Sequence, residues 1–194
     1  MFLKIIKAIR LNHKARMHVD EVLAALAVEP GMTVADIGAG GGYYTFKFSE
    51  VVGPQGKVYA VDIDKAFLRL IAGDARRRGI RNVEPLRSGP NGGALPPDSC
   101  DLAFCRNAFH HLPSPLAYMR NLRFALKRDG RIAIIDWLPN RDGGTGHRHG
   151  IEAEEIQSIM EKAGYDLVAS YDFLQDQSFG IYRYAGGTKV RVND

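Results

Sequence analysis

The sequence is poor in cysteine and contains no long apolar run. Its 194 residues include only Cys100 and Cys105, too few for a disulfide-stapled secreted domain or a four-cysteine zinc site. No apolar stretch approaches the roughly 20 residues that cross a bilayer. Lys4 and Lys7 interrupt the apolar residues at the start of the chain, which argues against a secretory signal. We therefore expect a protein of a reducing compartment, the cytoplasm.

An excess of basic residues is absent from most of the chain. The 26 basic and 22 acidic residues give a net charge of +4, but residues 1–19 hold five of the basic residues and no acidic one. The remainder is nearly neutral. The basic cluster at positions 76–81 suits the end of a helix, where cations complement the helix dipole. We therefore expect no nucleic-acid partner.

The basic N-terminal segment has apolar residues at helical spacing. Phe2, Ile5, Ile6 and Ile9 share one face, which predicts an amphipathic helix that packs on the domain or on a second subunit. The alternative is peripheral membrane contact through residues 1–14. A second helix is expected over residues 15–28. The oligomeric state stays open.

Strand patterns and helix patterns alternate along the rest of the chain. Strands are predicted at 33–37, 57–62, 82–86, 100–105, 131–136, 166–173 and 179–184, with helices at 43–52, 64–78, 114–127 and 151–163. The last two strands are joined too tightly for a parallel crossover. We predict a single α/β domain: a doubly wound, Rossmann-like, mainly parallel seven-stranded sheet with one antiparallel strand near the C-terminus and helices on both faces. Within residues 1–194, the N-terminal helices occupy 1–28, the cofactor-binding core 29–184 and a tail 185–194.

A glycine-rich turn follows the first strand. Gly38, Gly40 and Gly42 permit a tight turn and close approach of a ligand. A dinucleotide-binding fingerprint would have glycine where Tyr43 stands. Asp36, before the first glycine, disfavours a pyrophosphate and suits a ligand with a positive charge.

Two acidic residues follow the second strand. Asp62 lies twenty residues after Gly42, where a carboxylate can accept hydrogen bonds from both hydroxyls of a ribose. Asp64 is expected to be the N-cap of the next helix.

These segments resemble the class I S-adenosylmethionine-dependent methyltransferases. Residues 34–42 and 58–64 look like the first two motifs of that family, and residues 95–112 resemble the fourth-strand motif of the branch that contains the ubiquinone and menaquinone C-methyltransferases. The likeness covers residues 20–184. It implies S-adenosylmethionine as cofactor and a small-molecule or lipid-like methyl acceptor.

The resemblance also implies roles for individual residues. The glycine turn would hold the methionine part of the cofactor, with Asp36 near its ammonium group. Asp62 would bind the ribose and Ile63 would pack on the adenine. Asn91 stands in the loop where the family often has an acidic residue for the adenine amino group, and Arg106 is placed in the cofactor site.

The segment after the fourth strand carries the candidate chemistry. The resemblance puts Asn107, His110 and His111 beside the transferable methyl group. His111 is the candidate general base, while Asn107 and His110 are candidate substrate contacts. Asp136, at the end of the fifth strand, is a second catalytic candidate.

Alternatives to methyl transfer stay open at this point. His147 and His149 share a polar loop without a third ligand in view, so no metal site is expected. Tyr43, in place of the third glycine, and Asp36 both disfavour a nicotinamide-dependent oxidoreductase. A non-catalytic S-adenosylmethionine-binding regulatory protein fits the same motifs as an enzyme.

Overall fold

The computed structural model describes residues 16, 18–139 and 150–186. The predicted amphipathic helix at the N-terminus, the loop that carries His147 and His149 and the end of the tail lie outside the described residues. The described helices are α1 Val19–Leu26, α2 Tyr43–Val52, α3 Lys65–Arg77, α4 Pro115–Leu122 and α5 Ala153–Lys162. The strands are β1 Thr33–Ile37, β2 Lys57–Asp62, β3 Val83–Arg87, β4 Cys100–Arg106, β5 Leu126–Trp137, β6 Tyr165–Tyr171 and β7 Gln177–Tyr184, and a 3₁₀ turn spans Phe109–His111.

The strands form one seven-stranded sheet in the order β3-β2-β1-β4-β5-β7-β6. Strand β7 runs antiparallel to both of its neighbours, and the pairings among β1 to β5 are parallel. The predicted fold class is confirmed, including the single antiparallel strand near the C-terminus. The strand order reverses between β1 and β4, so the carboxyl ends of these two strands flank the crevice where ligands of such sheets bind.

Apolar side chains cover both faces of the sheet. Because side chains alternate along a strand, Val34 packs on the face that holds α1 and α2, while Ala35 packs on the face that holds α4 and α5. Helix α3 joins α2 over β2 through Ile71 and Ala60. Within the described residues, none of the helices combines the length and the apolarity needed to cross a membrane.

Several predicted boundaries are wrong, including the start of the fifth strand, which lies at Leu126 rather than at the expected Arg131, and the end of the sixth, which lies at Tyr171 rather than at the expected Phe173. Two boundaries have a cause that lies across the sheet. The helix expected to reach Lys127 ends at Leu122, because Leu126 already pairs with Cys100 as the first residue of β5. Strand β7 begins at Gln177 rather than at Phe179, because Gln177 pairs with Trp137. Pairing with a distant strand determines both boundaries, and the local sequence pattern does not predict that pairing.

Candidate cofactor site

A cavity of about 480 Å³ opens at the carboxyl ends of β1, β2 and β4. Its volume lies within the range of about 300–1,000 Å³ typical of small-molecule sites. The cavity brings together most of the residues singled out from the sequence: Asp36, Gly38, Gly40, Asp62, Ile63, Arg106, Asn107 and His111 all line it. Gly42, Asn91, His110 and Asp136 are not among its lining residues.

The glycine turn is shaped by packing inside the protein. Gly38 has φ +73°, and a Cβ there would lie 2.4 Å from Cβ of Ala108. Gly42 has φ +80° and precedes α2, and its Cβ would lie 2.8 Å from Cγ1 of Ile71. These neighbours are protein atoms, so protein packing alone already requires glycine at both positions. The predicted contact of Gly42 with the cofactor is not reproduced by the cavity.

Asp62 connects the glycine turn to the end of β2. Its Oδ2 accepts a hydrogen bond from the backbone N–H of Gly40 at 2.9 Å, and its Oδ1 accepts one from the N–H of Asp64 at 2.8 Å. The side chain is buried and held at the cavity wall. Each carboxylate oxygen can accept a second hydrogen bond, so Asp62 retains capacity for ribose hydroxyls. Asp64 caps α3 through the N–H of Ala66 at 2.9 Å, as predicted.

Asp36 is a buried carboxyl group at the base of the cavity. Its Oδ2 accepts a hydrogen bond from Oγ1 of Thr45 at 2.5 Å. Burial raises the pKa of Asp36 from 3.8 to about 7; the Thr45 hydrogen bond opposes this shift, and the negative charge of Asp62 adds to it. A cation bound beside this carboxyl group would favour its ionised form.

The adenine side of the cavity departs in part from expectation. Ile63 lines the cavity and is 58% exposed, an unusual state for a large apolar side chain, and it leaves a surface on which a flat ring can pack. Ser88, Gly89 and Pro90 also line the cavity. Asn91 is exposed and outside the lining, and its carbonyl oxygen accepts a hydrogen bond from Nδ2 of Asn121 at 3.0 Å. The structure does not bring Asn91 to the cavity.

Arg106 and Asn107 belong to a network that sequence reasoning missed. Nη1 of Arg106 donates to the hydroxyl of Tyr44, and Nη2 donates to Oε1 of Gln177 at 3.0 Å. Nε2 of Gln177 donates to Oδ1 of Asn107. Tyr44 lies beside the glycine turn, so its position in the sequence could have indicated a place in the site. Gln177 lies 70 residues from Asn107, and no sequence pattern indicated that it belongs to the same network.

His110 and Asp136 form a buried pair next to the cavity. Nδ1 of His110 lies 2.6 Å from Oδ1 of Asp136, and the backbone N–H of His110 donates to Oδ2 at 3.0 Å. Asp136 also accepts from the N–H of Trp137 and is fully buried. Asp136, the second catalytic candidate, is thus held by His110 and Trp137 and lies outside the cavity lining. The ring of His110 lies 3.9 Å from the ring of His111, which does line the cavity.

The comparisons with known proteins decide the family. A sequence model described as a methyltransferase domain matches residues 28–165. The chain belongs to the methyltransferase domain family. A crystal structure of an S-adenosylmethionine-dependent methyltransferase from Aquifex aeolicus is 32% identical to this methyltransferase, covers 91% of this chain and 95% of that chain, and superposes with a TM-score of 0.81. The predicted class I family and its cofactor, S-adenosylmethionine, are confirmed, and the nicotinamide-dependent alternative is left without support.

Two curated relatives are longer than this methyltransferase. The uncharacterized methyltransferase YcgJ of Bacillus subtilis (strain 168) is 32% identical over 109 residues, which are 56% of this chain and 42% of that protein. The ubiquinone/menaquinone biosynthesis C-methyltransferase UbiE of Shewanella frigidimarina (strain NCIMB 400) is 28% identical over 123 residues, 63% of this chain and 48% of that protein. The chain therefore spans slightly less than half the length of these curated relatives.

The residues of the cavity fit S-adenosylmethionine. Asp36 offers a carboxyl group to an ammonium group, Asp62 offers acceptor oxygens to ribose hydroxyls, and Ile63 offers an apolar surface to adenine. Among the residues that the structure describes, there is no group of three or more histidine, cysteine, aspartate or glutamate side chains able to hold a metal ion.

Proposed function

We propose that this protein transfers a methyl group from S-adenosylmethionine to a small-molecule acceptor. One observation carries the proposal: Asp36, Asp62 and the segment after β4 line the same cavity. The groups proposed to bind the cofactor and the candidate reactive groups therefore share one cavity. Action in the cytoplasm is part of this proposal, as is the possibility of peripheral membrane contact through residues 1–14.

The chemistry needs little from the protein beyond alignment. The cofactor supplies a methyl group on a sulfonium, which is already a strong electrophile. The chain must therefore hold the acceptor atom in line and keep water away from it. The aromatic residues Tyr43 and Tyr44 line the cavity, and their apolar rings would help to keep water from the space that the two ligands share.

The wall next to His111 favours an acceptor with an apolar part. Leu112 and Pro113 continue the lining from His111, so an apolar portion of the acceptor can pack there. The similarity to UbiE, which is named as a quinone-pathway C-methyltransferase, supports a small aromatic or lipid-like acceptor.

His111 is the proposed base for an acceptor that must lose a proton. Both oxygens of Asp136 already accept backbone N–H groups, so Nδ1 of His110 is assigned as the donor toward Oδ1. Asp136 thus holds the imidazole ring of His110 in place. The ring of His111 packs against it and is thereby positioned at the cavity wall.

A methyl-donor assay tests the proposal. The purified protein is incubated with S-adenosylmethionine that carries a tritiated methyl group, together with separate extracts of polar metabolites and of lipids. We expect label to enter an extract-dependent product with the wild type and to fall sharply with Asp62→Ala. Tight S-adenosylhomocysteine binding without transfer to any fraction would contradict catalysis and favour a cofactor-binding regulatory protein.

A further inference from the structure

Gln177 contacts two residues of the cavity wall, Arg106 and Asn107, because of the direction of its strand. It is the first residue of β7, which runs antiparallel to β5, and it pairs with Trp137 at the carboxyl end of β5. The amino-terminal end of β7 therefore lies at the same edge of the sheet as the carboxyl ends of the parallel strands. Gln177 is 6% exposed, so its side chain amide must find hydrogen-bond partners inside the protein.

The orientation of the Gln177 amide follows from its partner. A guanidinium only donates hydrogen bonds, so the Gln177 atom that faces Nη2 of Arg106 is the acceptor Oε1, at 3.0 Å. The amine Nε2 then faces Asn107, and the Asn107 atom that receives it is the acceptor Oδ1. This orientation turns Nδ2 of Asn107, which only donates, away from Gln177 and makes it available to a ligand.

Tyr44 adds a third donor to this wall. Its hydroxyl accepts a hydrogen bond from Nη1 of Arg106, which leaves its own hydrogen to be donated. Burial raises the pKa of Tyr44 to about 12, so the hydroxyl stays protonated at neutral pH. Arg106, Asn107 and Tyr44 all line the cavity, and this wall offers donors to a ligand.

The carboxyl group of Asp36 lines the same cavity as these donors. Asp36 is hydrogen-bonded to Thr45, the residue that follows Tyr44 in the chain. A cation-binding carboxyl group next to a donor wall complements an α-amino acid, whose ammonium and carboxylate are joined through one carbon. The cofactor carries such a group at its methionine end.

We infer that Gln177 is a positioning residue that holds Arg106 and Asn107 as donors toward the carboxylate of the cofactor. The inference rests on the proposed function in so far as S-adenosylmethionine occupies the cavity. It assigns Asn107 to cofactor binding, whereas the sequence predicts that Asn107 contacts the methyl acceptor. It also gives a role to a residue far from the glycine turn.

Two ligands and two variants test this role by titration calorimetry. S-Adenosylhomocysteine carries the carboxylate, and decarboxylated S-adenosylhomocysteine keeps the ammonium group without it. In Gln177→Glu, the new carboxylate still accepts a hydrogen bond from Arg106, but it has no hydrogen to donate to Asn107. The Asn107 amide therefore turns over, so that its Nδ2 donates to the carboxylate and its Oδ1 faces the ligand. We expect this variant to bind S-adenosylhomocysteine at least tenfold more weakly and the decarboxylated ligand within twofold of wild type.

Gln177→Met separates polarity from charge, because it removes the amide without adding a negative charge. We expect a smaller loss, about three- to tenfold, again confined to the carboxylate-bearing ligand. Thermal unfolding checks that each variant folds, and Gln177→Met carries the test if Gln177→Glu does not fold. Equal losses for both ligands, or no loss for either, would overturn the positioning role. Failure of the wild type to bind S-adenosylhomocysteine would instead contradict the proposed function itself.

Discussion

The backbone N–H of Gly40 donates a hydrogen bond of 2.9 Å to Oδ2 of Asp62. This bond ties the glycine turn after β1 to the end of β2, so two motifs that lie 22 residues apart act as one rigid wall of the cavity. The Asp62 carboxylate is thereby aimed before any ligand arrives. Pre-organisation of this kind lowers the cost of ordering a site on binding.

The first prediction follows from this bond. Asp62→Ala removes the ribose acceptor, and charge-assisted hydrogen bonds contribute about 1.5–3 kcal/mol. Affinity for S-adenosylhomocysteine should therefore fall roughly ten- to a hundredfold. The unfolding free energy should also fall, by about 1–3 kcal/mol, because the N–H groups of Gly40 and Asp64 lose their partner.

Asp64→Ala is the matched control for this change. It removes the cap on Ala66, which should cost about 1 kcal/mol of stability and leave cofactor affinity nearly unchanged. Calorimetry and thermal unfolding of both variants separate the two effects. Wild-type affinity in Asp62→Ala would remove the assigned role of Asp62.

The second prediction concerns the pH dependence of stability. Burial, as the main cause, raises the pKa of Asp36 from 3.8 to about 7, so between these values the folded protein holds a proton that the unfolded chain has released. The unfolding free energy contributed by Asp36 therefore falls as pH rises from about 4 to 7 and stays low above 7. Asp36→Asn should remove this slope and raise stability at pH 8 by up to about 4 kcal/mol, at 1.36 kcal/mol per pKa unit.

The same variant should lose cofactor affinity. Wild-type affinity for S-adenosylhomocysteine should rise between pH 6 and pH 8, because the ionised carboxylate pairs with the ammonium group, and Asp36→Asn should lack this rise. Denaturant unfolding and calorimetry at pH 6, 7 and 8 provide both readouts. A variant that is no more stable than wild type at pH 8 would contradict the raised pKa.

The third prediction assigns the histidines. His111→Ala should reduce methyl transfer at least a hundredfold while S-adenosylhomocysteine affinity stays within twofold, because His111 is proposed to act on the acceptor. His110→Ala should reduce transfer by less, since His110 acts through its neighbour. The two variants are compared in the tritium assay. Activity of His111→Ala within tenfold of wild type would exclude it as the base.

What the sequence predicts well is local. The glycine turn, the cap at Asp64 and the alternation of strands and helices each depend on residues close together in the chain, and the structure places them as expected. The start of β5 at Leu126 and the contact between Gln177 and Arg106 depend on pairings across the sheet. The burial of Asp136 against His110 joins residues 26 positions apart. Such pairings exist only after the sheet has assembled, and no local pattern encodes them.

The cavity after β1 and β2 is proposed to bind S-adenosylmethionine rather than a dinucleotide. Titration calorimetry of the wild-type protein with S-adenosylmethionine, S-adenosylhomocysteine and NAD tests this proposal most directly. We predict that S-adenosylmethionine and S-adenosylhomocysteine each bind at one site per chain and that NAD gives no measurable heat. Asp62→Ala should weaken the binding of both S-adenosyl ligands. Tighter binding of NAD than of S-adenosylhomocysteine would contradict the account.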